Sequence, residues 1–445
     1  MRRLLLSLVL FASLFIVFRA AKQDQHSHQS VPVGLFHNSP PVARTSTDPF
    51  HPLRLTQCTD TTPSYYAPCL ARTLAHAVSG EELLYPGFSI SPPIFASSRP
   101  QDAERWWNTT WLLWDRAYKL DTRLRYPEKH GQIYVFENVT LSSATPFDKW
   151  TMDSCMSSFA PTSHTSPSSH TPTHDSVLLA NVPDSWSLQH FLDRAMRVVA
   201  QSRDYRPRHI VTGREGDKSV KYLWSTLGYP PDHVLHRDTS FVASQLIWSC
   251  RAPLIHPWLT QRSLSLLAPD SLHPVPLSDR KVILYMTRSN GLTRNGGREV
   301  INEDVLLAGI QSVLNRRGKK EKLEIFNHND FPDIGDLISY LQQNVKAVIG
   351  PHGSALHNHF WTAPDTLVVE FQPTSRPDLT FYESAKMRDH PFVVLMEDPV
   401  DEKHNMLVDV PAVVQILEER LDRELEVGDR VKLAYDWEAE ELGVN

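Results

Sequence analysis

The stretch VIGPHGSALHN, residues 348–358, is the part of the chain that says most about its fold. An apolar, β-branched run stops at Gly350, turns through Pro351 and Gly353, and continues into an apolar helical pattern. A strand that leads directly into a helix is the building unit of a parallel sheet covered by helices. The sequence therefore predicts an α/β fold with a ligand site where this strand ends.

The alternation of strand and helix patterns extends in both directions from this stretch. It predicts strands at 281–287, 322–326, 346–349, 366–371 and 392–396, with helices at 303–316 and 334–343 between them. Earlier in the chain, strand patterns at 176–180 and 209–212 alternate with helices that begin near Ser187 and Lys218. We therefore predict an N-terminal lobe at 55–270 and a C-terminal, nucleotide-binding lobe at 271–400. A proline-rich connection at 251–279 joins them, and a helical tail at 401–445 packs back on the lobes.

The turn after the strand suits an anion. Backbone N–H groups at the start of the following helix would face a group such as diphosphate. Gly353 would allow the phosphate to approach closely, and Ser354 can donate its hydroxyl. His352 can donate a hydrogen bond or carry positive charge. An ordinary strand–helix turn with a capping histidine accounts for the same pattern, so both readings stay open.

Two other kinds of site fit this turn less well. Ser354 as a hydrolase nucleophile would require GxSxG, but the surrounding residues read HGSAL. His352, His357 and His359 lack the HExxH spacing and the carboxylate of common zinc sites. We therefore predict neither a serine hydrolase nor a metal centre.

Composition limits the class of protein. The chain has 445 residues, 41% of them hydrophobic and 22% charged, which is typical of a folded globular protein. That length exceeds one ordinary hydrophobic core, so two domains or one two-lobed unit are expected. A net charge of −6 without a long basic run gives no indication of a nucleic-acid partner.

The N-terminus predicts a membrane anchor. Residues 1–22 hold two arginines, an apolar stretch at 4–18, and further basic residues. A cleaved signal peptide is the alternative, but a cut after Ala20 or Ala21 leaves a bulky residue at the third-last position. Since basic residues stay cytoplasmic, the rest of the chain would face the lumen as a single-pass type II protein. Residues 23–54, rich in Pro, Ser, His and Thr, read as a flexible luminal stem.

Other features also indicate the secretory lumen. Asn108 and Asn138 each begin a glycosylation sequon. Of the four cysteines, Cys58 and Cys69 are the likeliest pair on loop length, although three pairings and buried free thiols remain open. A second stretch rich in Ser, Thr and Pro, at 157–174, reads as a disordered, exposed loop.

Three motifs in order resemble glycosyltransferase family 61. GPHGSALHN at 350–358 is followed by an apolar strand that ends in Glu370. Upstream, Arg288 follows a strand, and REVINE occupies 298–303. Further upstream, HFLD at 190–193 is similar to the family's H-W-L-x-D helix in the other lobe. The family includes transferases of GlcNAc to protein-linked sugars and plant β-1,2-xylosyltransferases.

The resemblance implies a GT-B architecture, in which two Rossmann-like lobes face a cleft behind an N-terminal transmembrane anchor and stem. It implies an inverting glycosyltransferase that moves GlcNAc or xylose from a UDP-sugar to a glycan or glycoprotein acceptor. Such an enzyme would work at the Golgi membrane, with the endoplasmic reticulum as second choice. The alternative is a catalytically silent binding or scaffold protein that kept the fold.

The resemblance also assigns roles on the nucleotide side. Gly350, Gly353, Ser354 and Asn358 would contact the nucleotide-sugar beside the catalytic His352. Arg288 and Arg298 would clamp the diphosphate, because a guanidinium binds phosphate bidentately. Arg298 pairing with Glu303 is equally open. Glu370 either accepts the ribose hydroxyls or holds His352.

On the acceptor side, His190 and Asp193 share one helix face because they are spaced i, i+3. His190 would take the proton of the acceptor hydroxyl as general base, unless the pair is a simple helix-surface contact. The chain has no D-x-D sequence of the kind that holds a divalent metal on diphosphate. No cofactor is therefore expected to be obligatory, and Mn²⁺ remains possible but is not predicted.

Overall fold

The computed structural model describes residues 48–96, 99, 101–109, 118–120, 123–141, 171–180, 182, 185–236, 238–269, 273–289 and 296–434. All of them belong to one compact unit. The predicted anchor at 1–22, most of the stem and most of the 157–174 loop lie outside these ranges. Among the helices that are described, none has the length and apolar character needed to span a bilayer.

The described residues form strands and helices in alternation, which confirms the α/β class. The strands are β1 (Leu53–Leu55), β2 (Ala77–Tyr85), β3 (Phe88–Ile90), β4 (Ile94–Phe95), β5 (Tyr118–Leu120), β6 (Arg123–Tyr126), β7 (Lys129–Leu141), β8 (Thr173–Leu179), β9 (His209–Thr212), β10 (Val234–His236), β11 (Phe241–Cys250), β12 (Val282–Tyr285), β13 (Lys322–Ile325), β14 (Val345–Pro351), β15 (Leu367–Pro373), β16 (Phe392–Glu397) and β17 (Lys432–Leu433). The α-helices are α1 (Ala67–Ala71), α2 (Gln101–Thr109), α3 (Leu188–His190), α4 (Met196–Ser202), α5 (Lys218–Thr226), α6 (Pro257–Leu267), α7 (Glu303–Arg317), α8 (Ile334–Asn344), α9 (Thr380–Lys386) and α10 (Val410–Arg420).

The first sheet is mixed, with the order β1-β2-β7-β11-β8-β9-β10. Strands β1, β2, β7 and β11 pair antiparallel, whereas β11, β8, β9 and β10 pair parallel. Helix α4 packs against β11 of this sheet, and all seven of its residues are buried. A π-helical segment, Phe191–Ala195, joins α3 to α4.

The second sheet is wholly parallel, with the order β13-β12-β14-β15-β16-β4. Every residue of β14 and β15 is buried, as expected of central strands covered by helices on both faces. Asp333 caps the first turn of α8, and Gly318 at φ +64° ends α7. Helices α7 and α10 pack on one face around residues such as Val313, Val369 and Leu417.

The N-terminal segment reaches the parallel sheet. Strand β4 pairs with β16 at the sheet edge, and β3 joins a small antiparallel sheet with the order β17-β3-β6-β5. Arg99, before α2, donates to the Met396 carbonyl at 2.6 Å and to Asp398 at 2.8 Å. Tyr126 Oη donates to Glu383 at 2.8 Å. The region near residues 88–126 thus contacts elements that the sequence prediction assigned to the other lobe.

Three local expectations differ from the structure. The connection at 251–279 contains α6, which begins at Pro257 because proline is favoured at the first helical position, and which buries its apolar side. Thr173, which the predicted loop included, is the first residue of β8, and Leu53, which the predicted stem included, begins β1. The segment after Gly353 is a 3₁₀-helix, Ser354–Trp361. The GT-B arrangement and the lobe boundaries remain predictions.

A disulfide joins Cys58 to Cys69, with 4.9 Å between the Cα atoms. It closes a short loop before α1, whose amide at Ala67 donates to the buried Glu82. Cys250, at the end of β11, is also disulfide-bonded. The described cysteines are therefore oxidised, and this redox state is typical of a secretory compartment.

Candidate functional site

The register of the parallel sheet brings the motif residues together. Tyr285 pairs with Ile349, so Arg288 and His352 each lie three residues beyond the same level. Gly350 pairs in turn with Glu370 on the next strand. The carboxyl ends of β12, β14 and β15 therefore meet at one edge, as the sequence predicted for a ligand site.

His352 and Glu370 form the centre of this edge. His352 Nδ1 lies 2.6 Å from Glu370 Oε1, and Glu370 is fully buried in the middle of β15, which continues to Pro373 instead of ending at Glu370 as predicted. Burial raises the pKa of Glu370, while the hydrogen bonds from His352 and Gln372 oppose the rise. Of the two sequence readings, the structure shows Glu370 holding His352. When Nδ1–H donates to an ionised Glu370, the Nε2 side of the ring is left to a ligand and to the nearby Asp378 carboxylate.

Arg288 reaches this centre by packing across Gly353. Its Nε donates to the Gly297 carbonyl at 2.8 Å, and its Nη2 is buried without a hydrogen-bond partner among the described residues. A Cβ at position 353 would lie 2.3 Å from Nη1. Gly353 thus makes room for the guanidinium, whereas the sequence suggested that it makes room for phosphate.

Arg298 lies at a strained turn beside Arg288. Its φ is +58°, a region that non-glycine residues rarely adopt, and its amide donates to the Lys403 carbonyl at 2.9 Å. The preceding Gly297 also has a positive φ, and a Cβ there would lie 2.2 Å from the same carbonyl oxygen. Backbone strain of this kind is concentrated at functional sites. Glu303, the alternative partner of Arg298, instead accepts a hydrogen bond from Thr287 at 2.8 Å.

The arginines of this edge repel one another. Burial and the charge of Arg298 lower the pKa of Arg288 to about 10, while the charge of Glu299 opposes the fall. Burial likewise lowers the pKa of Arg298, as does the exposed Arg376 on the loop after β15, while Asp378 and Glu370 oppose the fall. Within the described ranges, neither Arg288 nor Arg298 forms an ion pair within 4.0 Å. Such a site favours an anionic ligand, since an anion would relieve the repulsion.

The remaining residues of the predicted nucleotide side have mixed surroundings. Ser354 is exposed at the start of the 3₁₀-helix, where its hydroxyl is accessible. Asn358 is buried, and its amide donates to the Ala355 carbonyl at 2.9 Å within that helix. Gly350 packs against β12, because a Cβ there would lie 2.7 Å from the Met286 carbonyl oxygen. Gly350 and Asn358 therefore shape the turn from within.

The acceptor-side motif meets the same segment. Asp193, in the π-helical turn, lies 3.5 Å from Nε2 of the buried His357 in the 3₁₀-helix. Burial lowers the pKa of His357, and the Asp193 carboxylate opposes this. Arg197 and His190 add to the lowering, so both lie near His357. The HFLD and GPHGSALHN motifs, 160 residues apart in the sequence, thus adjoin one another in space.

Several residues of the site were not predicted. His357, seen only as a weak metal candidate, contacts Asp193, and Asp378 Oδ2 lies 3.9 Å from His352 Nε2. The ring of Phe381 lies 4.9 Å from that of His352. Asp378 and Phe381 follow the last motif, and no spacing pattern pointed to them. His357 lies within the quoted stretch and could have been found from its position on the helix.

The remaining predicted positions are His359, a weak metal candidate, and the glycosylation sequons at Asn108 and Asn138. His359 is buried between the rings of His390 and Phe381. In the part of the chain that is described, no three His, Cys, Asp or Glu side chains are grouped as metal ligands. Asn108 on α2 and Asn138 on β7 are both exposed, so both amides are accessible to modification.

A comparison with protein families gives one match. The model described as Glycosyltransferase 61 matches residues 133–369, just over half of the chain. The matched region contains most of β7, the HFLD motif and strands β12 to β15 as far as Val369. No curated protein matches this chain.

Proposed function

The chain belongs to glycosyltransferase family 61, and from this premise we propose that it moves GlcNAc or xylose from a UDP-sugar to a glycan or glycoprotein acceptor, with inversion. Membership makes the protein a glycosyltransferase that binds a sugar donor and an acceptor. The observation that supports the nucleotide-sugar proposal is the buried Arg288 guanidinium, which has no carboxylate partner in the described residues and lies beside Arg298 and His352.

The diphosphate of the donor fits this charge. Arg288 and Arg298 would each donate to its oxygens, and two guanidiniums offset a dianion without a further cation. Ser354 lies exposed at the same edge and would donate its hydroxyl. We therefore propose that no metal is obligatory, although a Mn²⁺ requirement is one outcome of the test below.

The proposed reaction is one displacement. The acceptor oxygen bonds to the anomeric carbon as the bond from that carbon to the UDP oxygen breaks. His190 takes the proton of the acceptor hydroxyl. The negative charge that appears on the leaving diphosphate is stabilised by Arg288 and Arg298, and by His352 held through Glu370.

The proposed location is the Golgi membrane, as a single-pass type II protein, with the endoplasmic reticulum as second choice. Supporting features are the basic and apolar pattern of residues 1–22, the exposed Asn108 and Asn138, and the Cys58–Cys69 disulfide.

A thermal-shift screen tests this function directly. The full chain, purified in mild detergent from a secretory host, is heated with UDP-GlcNAc, UDP-xylose, UDP-glucose or ADP-glucose, with and without EDTA. A ligand at one hundred times its Kd stabilises the folded state by about 2.7 kcal/mol, so one UDP-sugar should raise the melting temperature by several degrees.

The outcomes separate the proposals. A shift with one UDP-sugar that survives EDTA supports the metal-free mechanism and names the donor. A shift abolished by EDTA keeps the transferase but overturns that mechanism. A folded protein that responds to no nucleotide-sugar would favour a catalytically silent scaffold.

A further inference from the structure

Gln372 links the candidate site to the N-terminal part of the chain. It lies two residues after Glu370 on β15 and is fully buried. Its Oε1 accepts from Trp106 Nε1 at 3.0 Å and from the Asp378 amide at 3.2 Å. Its Nε2 donates to Glu370 Oε2 at 2.6 Å and to the Asp378 carbonyl at 2.7 Å. All four hydrogen-bonding positions of this side-chain amide are therefore occupied.

The Trp106 indole and the Asp378 backbone amide together fix which way this side-chain amide points. Indole Nε1–H is a donor only, so it must face the amide oxygen. If the amide were turned over, its NH₂ group would face both Trp106 Nε1–H and the Asp378 N–H. Donors would then face donors at two buried positions, and Glu370 would lose the hydrogen bond from Gln372. The tryptophan thereby helps to keep an N–H of Gln372 directed at Glu370.

The chain of hydrogen bonds ends at the candidate catalytic histidine. Glu370 accepts from Gln372 on one oxygen and from His352 Nδ1 on the other. The first two steps are buried, so water cannot readily replace their donors, and the third is part-buried. The order is therefore Trp106 to Gln372, Gln372 to Glu370, and Glu370 to His352.

Trp106 is itself held firmly. It is fully buried on α2, and its ring makes T-shaped contacts with Phe95 at 5.6 Å and Tyr382 at 5.6 Å. Arg99 ties the start of this helix to Asp102 and to the end of β16. Packing alone would be served by any large aromatic ring. The indole N–H is the group that reaches Gln372, and residue 106 precedes the region matched by the family.

We propose that Trp106 is a positioning residue for the transfer reaction, which acts through Gln372 and Glu370 to hold His352 so that Nδ1–H donates to Glu370 and Nε2–H is available to the leaving diphosphate. The inference rests on the proposed function, in which His352 acts on the diphosphate. It adds a part of the chain outside the matched region to the working site.

The proposal has a consequence for pH dependence. Burial raises the pKa of Glu370, and so does the charge of Asp378, while His352 and the donation from Gln372 oppose the rise. Arg298 is also close enough to interact with the Glu370 charge. Among the described contacts, losing the Trp106 N–H leaves the Asp378 amide as the remaining donor to Gln372 Oε1. The Gln372 amide is then held less firmly and donates less well to Glu370, so the pKa of Glu370 rises further. A raised pKa means that Glu370 becomes protonated at a higher pH as the solution is acidified. The acid side of the activity profile should therefore move to higher pH.

The test compares Trp106→Phe with Trp107→Phe in the full chain. Trp107 packs edge-on against Trp106 at 4.8 Å, so its replacement perturbs the same helix without removing the indole N–H that binds Gln372. We expect Trp106→Phe to lower kcat about tenfold, to leave the donor KM within about twofold, and to move the acid limb upward. Thermal unfolding checks that both variants are folded.

A second variant tests the route. Gln372→Met removes the amide altogether, so it should lower kcat at least as much as Trp106→Phe. The double variant should then be no worse than Gln372→Met alone, because the two changes break one chain. Independent losses that multiply would overturn the route, and so would a Trp106→Phe profile identical to that of Trp107→Phe.

A measurement without turnover separates this inference from the proposed function. Carbethoxylation of His352 by diethyl pyrocarbonate, followed by mass spectrometry against pH, reports the state of the ring directly. If wild type shows no transfer, or if His352→Gln transfers normally, the proposed function fails. The modification rate still decides the positioning role, since a changed rate in Trp106→Phe but not in Trp107→Phe supports it. Equal rates in both variants overturn it.

Discussion

The two ends of the parallel sheet treat buried positive charge in opposite ways. At the amino end of β14, the Lys346 side chain is 1% exposed, and its Nζ lies 2.8 Å from Glu321 and 2.6 Å from Asp422. At the carboxyl end, Arg288 is 7% exposed, and among its described contacts only Nε donates, to the neutral Gly297 carbonyl. One end is closed by carboxylates and the other is open to a ligand.

The closed end is a network of several charges. Arg317 donates to Glu321 at 2.7 Å and to Asp422 at 2.6 Å, and Lys319 also binds Asp422. Burial alone would raise the pKa of Asp422, but hydrogen bonds from Lys319, Lys346 and Arg317 outweigh it and hold that pKa below its usual range. Glu321 follows the same pattern, with burial outweighed by Arg317 and Lys346.

The difference shows what each end contributes. A buried charge is costly unless it is paired, so the network satisfies its own charges and stabilises the fold. Burial disfavours the charged forms of Arg288 and Arg298, and neither has an ion-pair partner among the described residues. Buried charged groups that lack a protein partner are expected where a protein binds a ligand.

The largest effect should come from His352→Ala at the open end. We expect transfer to fall at least about a thousandfold, roughly 4 kcal/mol, because the imidazole would no longer act beside the leaving diphosphate. The melting temperature should stay near that of wild type. Transfer assays and thermal unfolding measure both.

The matched control is His273→Ala, since His273 is exposed and belongs to none of the three motifs. It should leave transfer and melting unchanged. A His352→Ala protein with full activity would remove this residue from the site. An early-melting one would show that the open end also holds the fold together.

The next effect should come from Lys346→Met at the closed end. The variant leaves the buried Glu321 with Arg317 as its remaining cation, so we expect a loss of about 3 kcal/mol of unfolding free energy. The kcat of the folded protein should be unchanged. Denaturant unfolding and transfer assays measure the two quantities.

Lys322→Met is the control, because Lys322 is exposed on the neighbouring strand β13. It should cost far less than Lys346→Met. Equal losses from the two lysines would show that pairing at the closed end contributes no more than a surface charge. The claim that this network stabilises the fold would then be wrong.

The open end was the more predictable of the two from the sequence. Strands β12, β14, β15 and β16 read as continuous apolar runs between amphipathic helices, so the parallel sheet and its binding edge followed directly. Counting residues from these strands then placed Arg288 and His352 just beyond the ends of two neighbouring strands. The helix predicted to begin near Lys218 is capped by Asp217, whose carboxylate accepts from the Val220 amide.

Contacts between distant segments could not be anticipated. Trp106 and Gln372 are 266 residues apart, and neither has a local pattern that points to the other. Helix α6 was not predicted, because the prolines of segment 251–279 suggested a linker, although one of them, Pro257, begins the helix. The closed network likewise needs α7, β14 and the end of α10 to meet, and tertiary packing alone brings them together.

The smallest effect should come from Arg288→Lys, which keeps the charge but loses the planar guanidinium. A lysine at this position cannot bind diphosphate bidentately, so we expect UDP to bind about tenfold more weakly, roughly 1.4 kcal/mol. Stability should not fall, because burial and Arg298 already disfavour the charge here. Calorimetry with UDP and thermal unfolding measure the two terms, with the exposed Arg316→Lys as control. Unchanged UDP affinity would remove Arg288 from the phosphate site. A loss of stability as large as that of Lys346→Met would mean that both ends hold the fold in the same way, and the unpaired guanidinium would no longer indicate a ligand.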